Sequence, residues 1–134
     1  MKRLFFWAVF VTVGLVAFAQ SNTITFKVSS YLINRKETAQ LYVRAELTID
    51  DETQSWEIIL HRKDGTNPER IKLEKPSDIS RNNMVFRTVA IQEGAGPSGA
   101  NLYAFVPPFQ GSKIRVDICD AKTEGVKRRL ILEY

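Results

Sequence analysis

The sequence predicts an all-β protein: an antiparallel β-sandwich of about seven or eight short strands with immunoglobulin-like architecture, preceded by an N-terminal signal-peptide helix. Three observations carry that expectation. Beyond residue 19 the apolar residues recur with a period of two, as on a pleated strand with one buried face. Turn signals come at intervals of roughly 8–12 residues, the spacing of sandwiches and small barrels. No segment after residue 19 sustains apolar positions at helical spacing.

The start is an export signal by composition. Lys2 and Arg3 precede the uncharged apolar run Leu4 to Ala19, which ends in Ala17-Phe18-Ala19. A charged start, an apolar stretch and small residues one and three positions before a cut are what signal peptidase requires. Cleavage is expected between Ala19 and Gln20. The 16 residues from Leu4 to Ala19 would span only about 24 Å as a helix, short of the roughly 30 Å hydrocarbon core. Residues 1–19 are therefore read as the signal peptide and residues 20–134 as one domain. Contact with a membrane is expected only through the signal before it is cut. Gln20 in place of a cysteine argues against lipid attachment.

The strands follow in order. Ile24, Phe26 and Val28 alternate with Thr25, Lys27 and Ser29. Leu41, Val43, Ala45, Leu47 and Ile49 face one way, and Tyr42, Arg44, Glu46 and Thr48 the other. Trp56, Ile58 and Leu60 repeat the pattern after the acidic turn Asp50-Asp51-Glu52. Asp64-Gly65 is a turn pair, since glycine tolerates positive φ. Asn67-Pro68-Glu69 has the form of a helix start, but Ile71 and Leu73 alternate with Arg70, Lys72 and Glu74. The segment is read as a short edge strand guarded by its lysines. Met84 to Ile91 and Leu102 to Val106 are apolar on both faces. Ile114, Val116 and Ile118 alternate cleanly. Val126, Leu130, Leu132 and Tyr134 form the inward set of the last strand, with Arg128 the exception. No internal repeat is visible.

Composition narrows the function. The chain has 134 residues and a formal charge of +4; residues 1–19 hold Lys2, Arg3 and no acid, so the processed chain of 115 residues carries +2. That is too little positive charge for the basic stripe of a nucleic-acid binder. One cysteine and one histidine exclude an internal disulfide and the multi-histidine or soft-ligand zinc sites. No cofactor and no metal are expected.

The motifs that could carry chemistry have plainer readings. Gly94-Ala95-Gly96-Pro97-Ser98-Gly99 matches the dinucleotide fingerprint letter for letter. That fingerprint needs a helix next, and Leu102 to Val106 is strand, so no nucleotide is expected. Gly94, Gly96, Pro97 and Gly99 are instead candidates for a recognition loop. Asp50, Asp51 and Glu52 lack the spacing of a calcium loop and read as a solvated turn. Cys119 sits between Asp117 and Asp120, which disfavours a thiolate; a bridge between chains would be its one use. His61 is a strand-end histidine. Alternation places Tyr42 and Tyr103 away from the main apolar sets, Tyr31 can join them, and Pro107-Pro108-Phe109 adds a stiff, protruding aromatic. Tyr31, Tyr42, Tyr103 and Phe109 are the candidate ligand-binding residues, because flat aromatic faces stack on sugars or anchor proteins.

The expected function is therefore an exported, non-catalytic β-sandwich module that binds or serves as a structural component of the cell envelope. Its partner would be an envelope protein or a polysaccharide. One alternative is a carbohydrate-binding module using the exposed aromatics. Another is an assembly subunit that adds a strand at an open sheet edge. A third is a small secreted protease inhibitor presenting Asn67-Pro68, the glycine loop and Pro107-Pro108-Phe109 as loops. The absence of disulfides favours a bacterial periplasm or exterior.

Overall fold

A computed structural model describes residues 21–79, 84–93, 97–98 and 102–134. Residues 1–20, with the expected signal peptide and cleavage site, lie outside the described residues. The described chain is all-β, as its alternation predicts, with a single-turn 3-10 helix at Ala39–Leu41. The strands are β1 (Ser21–Ile33), β2 (Lys36–Glu37), β3 (Tyr42–Asp50), β4 (Trp56–Arg62), β5 (Glu69–Ile79), β6 (Met84–Glu93), β7 (Pro97–Ser98), β8 (Leu102–Val106), β9 (Lys113–Asp120) and β10 (Val126–Glu133).

The sandwich is not what forms. The strands run β10-β9-β8-β6-β5-β4-β3-β1, and β1 returns to β10, closing an eight-stranded antiparallel barrel. The immunoglobulin-like architecture is thereby excluded. The short strands β2 and β7 ride on β1 and β6. Closure depends on β1, which at 13 residues is the longest strand. Its first half, Ser21 to Phe26, pairs with Asp50 to Ala45 of β3. Its second half, Lys27 to Ile33, pairs with Glu133 to Arg128 of β10. A sandwich leaves sheet edges to be protected, whereas a closed sheet does not. The two folds demand the same alternation, so the pattern alone could not separate them. β5 is likewise no edge strand, because it lies between β4 and β6.

Side chains fill the barrel. Leu47, Ile58, Leu60, Ile71, Leu73, Ile118, Leu130 and Leu132 are fully buried, and the Trp56 ring packs 5.5 Å from Phe86. The apparent two-sided strand from Met84 to Ile91 is explained by a change of face. Phe86 and, further along, Val89 and Ile91 are all buried. Opposite them, Lys75 adopts a φ of 53° and the β5/β6 register shifts between Pro76 and Asp78.

Bulges reset the alternation elsewhere. One extra residue in a strand puts two neighbours on the same face. The register shifts between Val28 and Ser30 in β1, between Tyr42 and Arg44 in β3, and between Val126 and Arg128 in β10. Val43 and Arg44 are consequently both exposed, and Tyr42 turns inward. Tyr31 turns inward for the same reason. Val126 is displaced outward, while Arg128 keeps step with Leu130 and Leu132 on the inner face. Tyr134 is exposed, against its expected place in the core.

Two hairpins repeat one design. In β3–β4, Asp50 Oδ1 accepts from the Glu52 and Thr53 amides at 2.9 and 3.1 Å, and Gln54 N–H donates to Asp50 O at 2.7 Å. In β9–β10, Asp120 Oδ1 accepts from Lys122 and Thr123 at 2.8 and 3.1 Å, and Glu124 N–H donates to Asp120 O at 2.7 Å. Gln54 and Glu124 both take positive φ, 65° and 61°. The acids at Asp50 thus organise a turn. Among the described residues no group of three or more His, Cys, Asp or Glu is placed to hold a metal.

Candidate functional site

The four aromatic residues expected to form a binding surface do not come together. Tyr31 and Tyr42 lie inside the barrel, with ring centroids 5.7 Å apart. Phe109 packs against the core rather than protruding. Only Tyr103 faces outward, and it is half-buried against Cys119. In the candidate recognition loop, Gly94, Gly96 and Gly99 lie outside the described residues. Pro97 forms β7 with Ser98, paired to Gln92 and Ile91 of β6. The loops proposed for an inhibitor do not share an end of the barrel. Asn67-Pro68 opens β5 beside Glu69, whereas Pro107 to Phe109 follows β8 at the opposite end.

What Tyr31 and Tyr42 do instead is hold a buried acid. Glu69 keeps step with Ile71 and Leu73 and points into the barrel, where it is 1% exposed. Its Oε1 accepts from the Tyr42 hydroxyl at 2.9 Å, and its Oε2 from the Tyr31 hydroxyl. Arg128 donates to Oε2 at 3.1 Å and to the Tyr31 hydroxyl oxygen at 2.8 Å. Arg62 stands 3.8 Å from Oε1, with its guanidinium 5.3 Å from the centre of the Tyr42 ring. A buried carboxylate survives only when paired and hydrogen-bonded in this way. Burial first, and the Glu69 charge second, hold the Tyr31 hydroxyl far above the usual phenol range. Tyr31 is therefore a donor at any ordinary pH. Glu69 thus accepts hydrogen bonds from three neighbours and faces a fourth, Arg62, as a charge.

Directly in front of this network the barrel wall is split. The β1/β3 ladder stops at Phe26 against Ala45, and from Lys27 onward β1 is paired only along its other edge, to β10, until it meets β2 at Leu32. Beyond the gap, β1 is secured again where Glu37 Oε2 accepts from Tyr31 N–H at 2.7 Å and Tyr31 O accepts from Thr38 N–H at 2.8 Å. The Tyr31 amide foremost, with the Ser30 hydroxyl and the Ala39 amide, holds the Glu37 carboxyl below its usual range. Two adjoining grooves of about 490 and 320 Å³ occupy the split and share Lys27 and Val43 as lining. Their lining mixes outward-facing Thr25, Lys27 and Val43 with inward-facing Phe26, Val28 and Tyr42, as an opening in the wall requires.

The rim is apolar and basic. Leu41 is 49% exposed, Val43 52% and Tyr134 76%, three of the four large apolar residues left in solvent among the described residues. Lys27, Arg44 and Lys63 line the grooves; Glu133 is their one acid. Among the described residues no ion pair involves Lys27, Arg44 or Lys63. Some other wall cations are paired, Arg70 to Glu57 at 3.4 Å and Arg129 and Arg115 to Asp117 at 2.8 and 3.4 Å, and His61 Nε2 lies 2.9 Å from Glu46 Oε1. Sequence reasoning missed these rim residues because it assigned Leu41 and Val43 to the core. The available signal was Leu41-Tyr42-Val43, three large apolar residues in a row where a one-faced strand should begin.

Cys119 is buried on the outer face. Burial raises its pKa, and Asp117 adds to the effect against the Tyr103 hydrogen bond and Arg129. It is a packed thiol.

Fold and site together define an up-and-down antiparallel β-barrel whose interior is packed and whose β1/β3 ladder is interrupted beside the buried network. Compared with protein-family models, with curated proteins and with solved structures, the chain matches none.

Proposed function

We propose that this chain is an exported, non-catalytic binding module of the cell envelope, and that it engages its partner at the β1/β3 seam by adding an extended strand. Export rests on Lys2, Arg3 and the apolar run ending in Ala17-Phe18-Ala19. Binding rests on one observation: the β1/β3 ladder ends at Phe26 against Ala45, leaving a gap lined by exposed Val43, with exposed Leu41 two residues before it in the chain. A strand edge is a template for a further strand, with backbone bonds supplying affinity and side-chain pockets supplying selectivity. A stacking site for sugars finds less support, since two of the four candidate aromatics are buried. A display library of random peptides, panned on the purified chain and on a Leu41→Ser, Val43→Ser variant, tests the reading. Both residues are half-exposed, so the variant retains its fold. Enrichment on the natural chain alone is expected; enrichment on neither, or equally on both, refutes it.

A further inference from the structure

Resting on that reading of the seam, we infer that its occupant is an acidic extended segment of a partner protein, with carboxylates alternating with small apolar side chains. The dimensions set the length. The opening runs along β1 from Lys27 to Ser30, closed on one side by the Phe26/Ala45 pair and on the other by the Glu37 and Thr38 bonds to Tyr31. At roughly 3.3 Å per residue a strand of about four residues fits that length. The two faces of such a strand meet different chemistry. Its inward side chains would meet Phe26, Val28 and Tyr42, each less than a tenth exposed, so small apolar groups suit that face. Its outward side chains meet Lys27, Arg44 and Lys63, against Glu133 alone. Charge complementarity of this kind selects partners and accelerates encounter. A basic segment would face three like charges, and a neutral one would leave three cations without a counter-charge.

Fluorescence anisotropy with three synthetic ten-residue peptides is the test: alternating Glu/Val, alternating Gln/Val and alternating Lys/Val, each soluble-tagged and labelled at one end. The Glu/Val peptide is expected to bind at least about tenfold more tightly than Gln/Val, and Lys/Val more weakly still. Its affinity should fall as salt rises from low to physiological strength, as screening requires. A Lys27→Glu, Arg44→Glu variant, altered only at exposed positions, should reverse the order of Glu/Val and Lys/Val. If all three peptides bind alike and the Leu41→Ser, Val43→Ser variant binds none, the seam takes strands but the acidic partner is wrong. If no peptide binds, both readings fall. If sedimentation shows a dimer that the Val43→Ser change dissolves, the occupant is a second copy of this chain and the inference is overturned.

Discussion

Replacing Glu69 by leucine should destabilise the barrel more than any comparable change on its wall. The carboxylate is 1% exposed and accepts from Tyr31, Tyr42 and Arg128. Without it, two hydroxyls and a largely buried guanidinium lose their acceptor together. Breaking a buried ion pair from one side costs about 3–5 kcal/mol, a large share of the roughly 5–15 kcal/mol that holds a domain folded. Urea denaturation, followed by the fluorescence of Trp56 against Phe86, gives the number directly. Arg128→Leu should cost a similar amount, since it leaves Glu69 with only the distant Arg62 as a cation at 3.8 Å. The double variant carries neither buried charge, so its cost should fall short of the summed single costs by about 2 kcal/mol or more. If Glu69→Leu costs less than about 1 kcal/mol, or the two changes simply add, the network does not stabilise the barrel as argued.

Three further outcomes follow from the same geometry. Tyr31 has its pKa raised in the folded state, by burial and then by Glu69. Stability is therefore full below the unfolded phenol value of about 10 and declines above it, by up to about 1.4 kcal/mol per pH unit. Tyr31→Phe should be less stable at neutral pH and should lose that alkaline slope, which melting curves from pH 8 to 11.5 will show; an unchanged slope contradicts the assignment. The Cys119 thiol, pushed up by burial, should label with a neutral-pH thiol reagent at least about a hundredfold more slowly in the folded chain than in urea; equal rates would mean an exposed or activated thiol. Asp50→Ala should cost about 1 kcal/mol through the loss of two amide partners, and Asp120→Ala should also lower the melting midpoint. The Asn variants should keep most of the stability, and indifference to either Ala change would show that the paired hairpins do not depend on their aspartates.

Most of the secondary structure was legible in the residues because a half-buried strand writes its burial as alternation. The inward sets Leu47-Ile49, Trp56-Ile58-Leu60 and Ile114-Val116-Ile118 are buried as that pattern requires. The closure was not legible, because Lys27 to Ile33 pairing with β10 is a long-range choice that leaves the local pattern unchanged. Nor were the bulges at β1 and β3, since an extra residue carries no composition of its own. The misreading of Tyr31 and Tyr42 as surface residues follows from that single fact. Arg128 was the clue in plain view: a cation in step with Leu130 and Leu132 requires a buried acid, and Glu69 stands in the same relation to Ile71 and Leu73.

The bulge at Val43 separates the network from the seam. It places Val43 and Arg44 side by side on the outer face while Tyr42 points in. Deleting Val43 leaves Arg44 outward and Tyr42 inward in a regular ladder against His61 and Arg62, so the Tyr42–Glu69 bond needs no repair. Stability should therefore remain within about 1 kcal/mol of the natural chain, well under the cost of a broken buried pair. The seam, in contrast, loses an exposed apolar residue that lines both grooves, so binding of an extended peptide should drop by about tenfold or more. Urea melts and peptide anisotropy on the deletion variant read the two effects separately. A chain that no longer folds would show that the bulge is required to seat Tyr42. A chain that folds and binds undiminished would show that the opening between β1 and β3 does not depend on this irregularity.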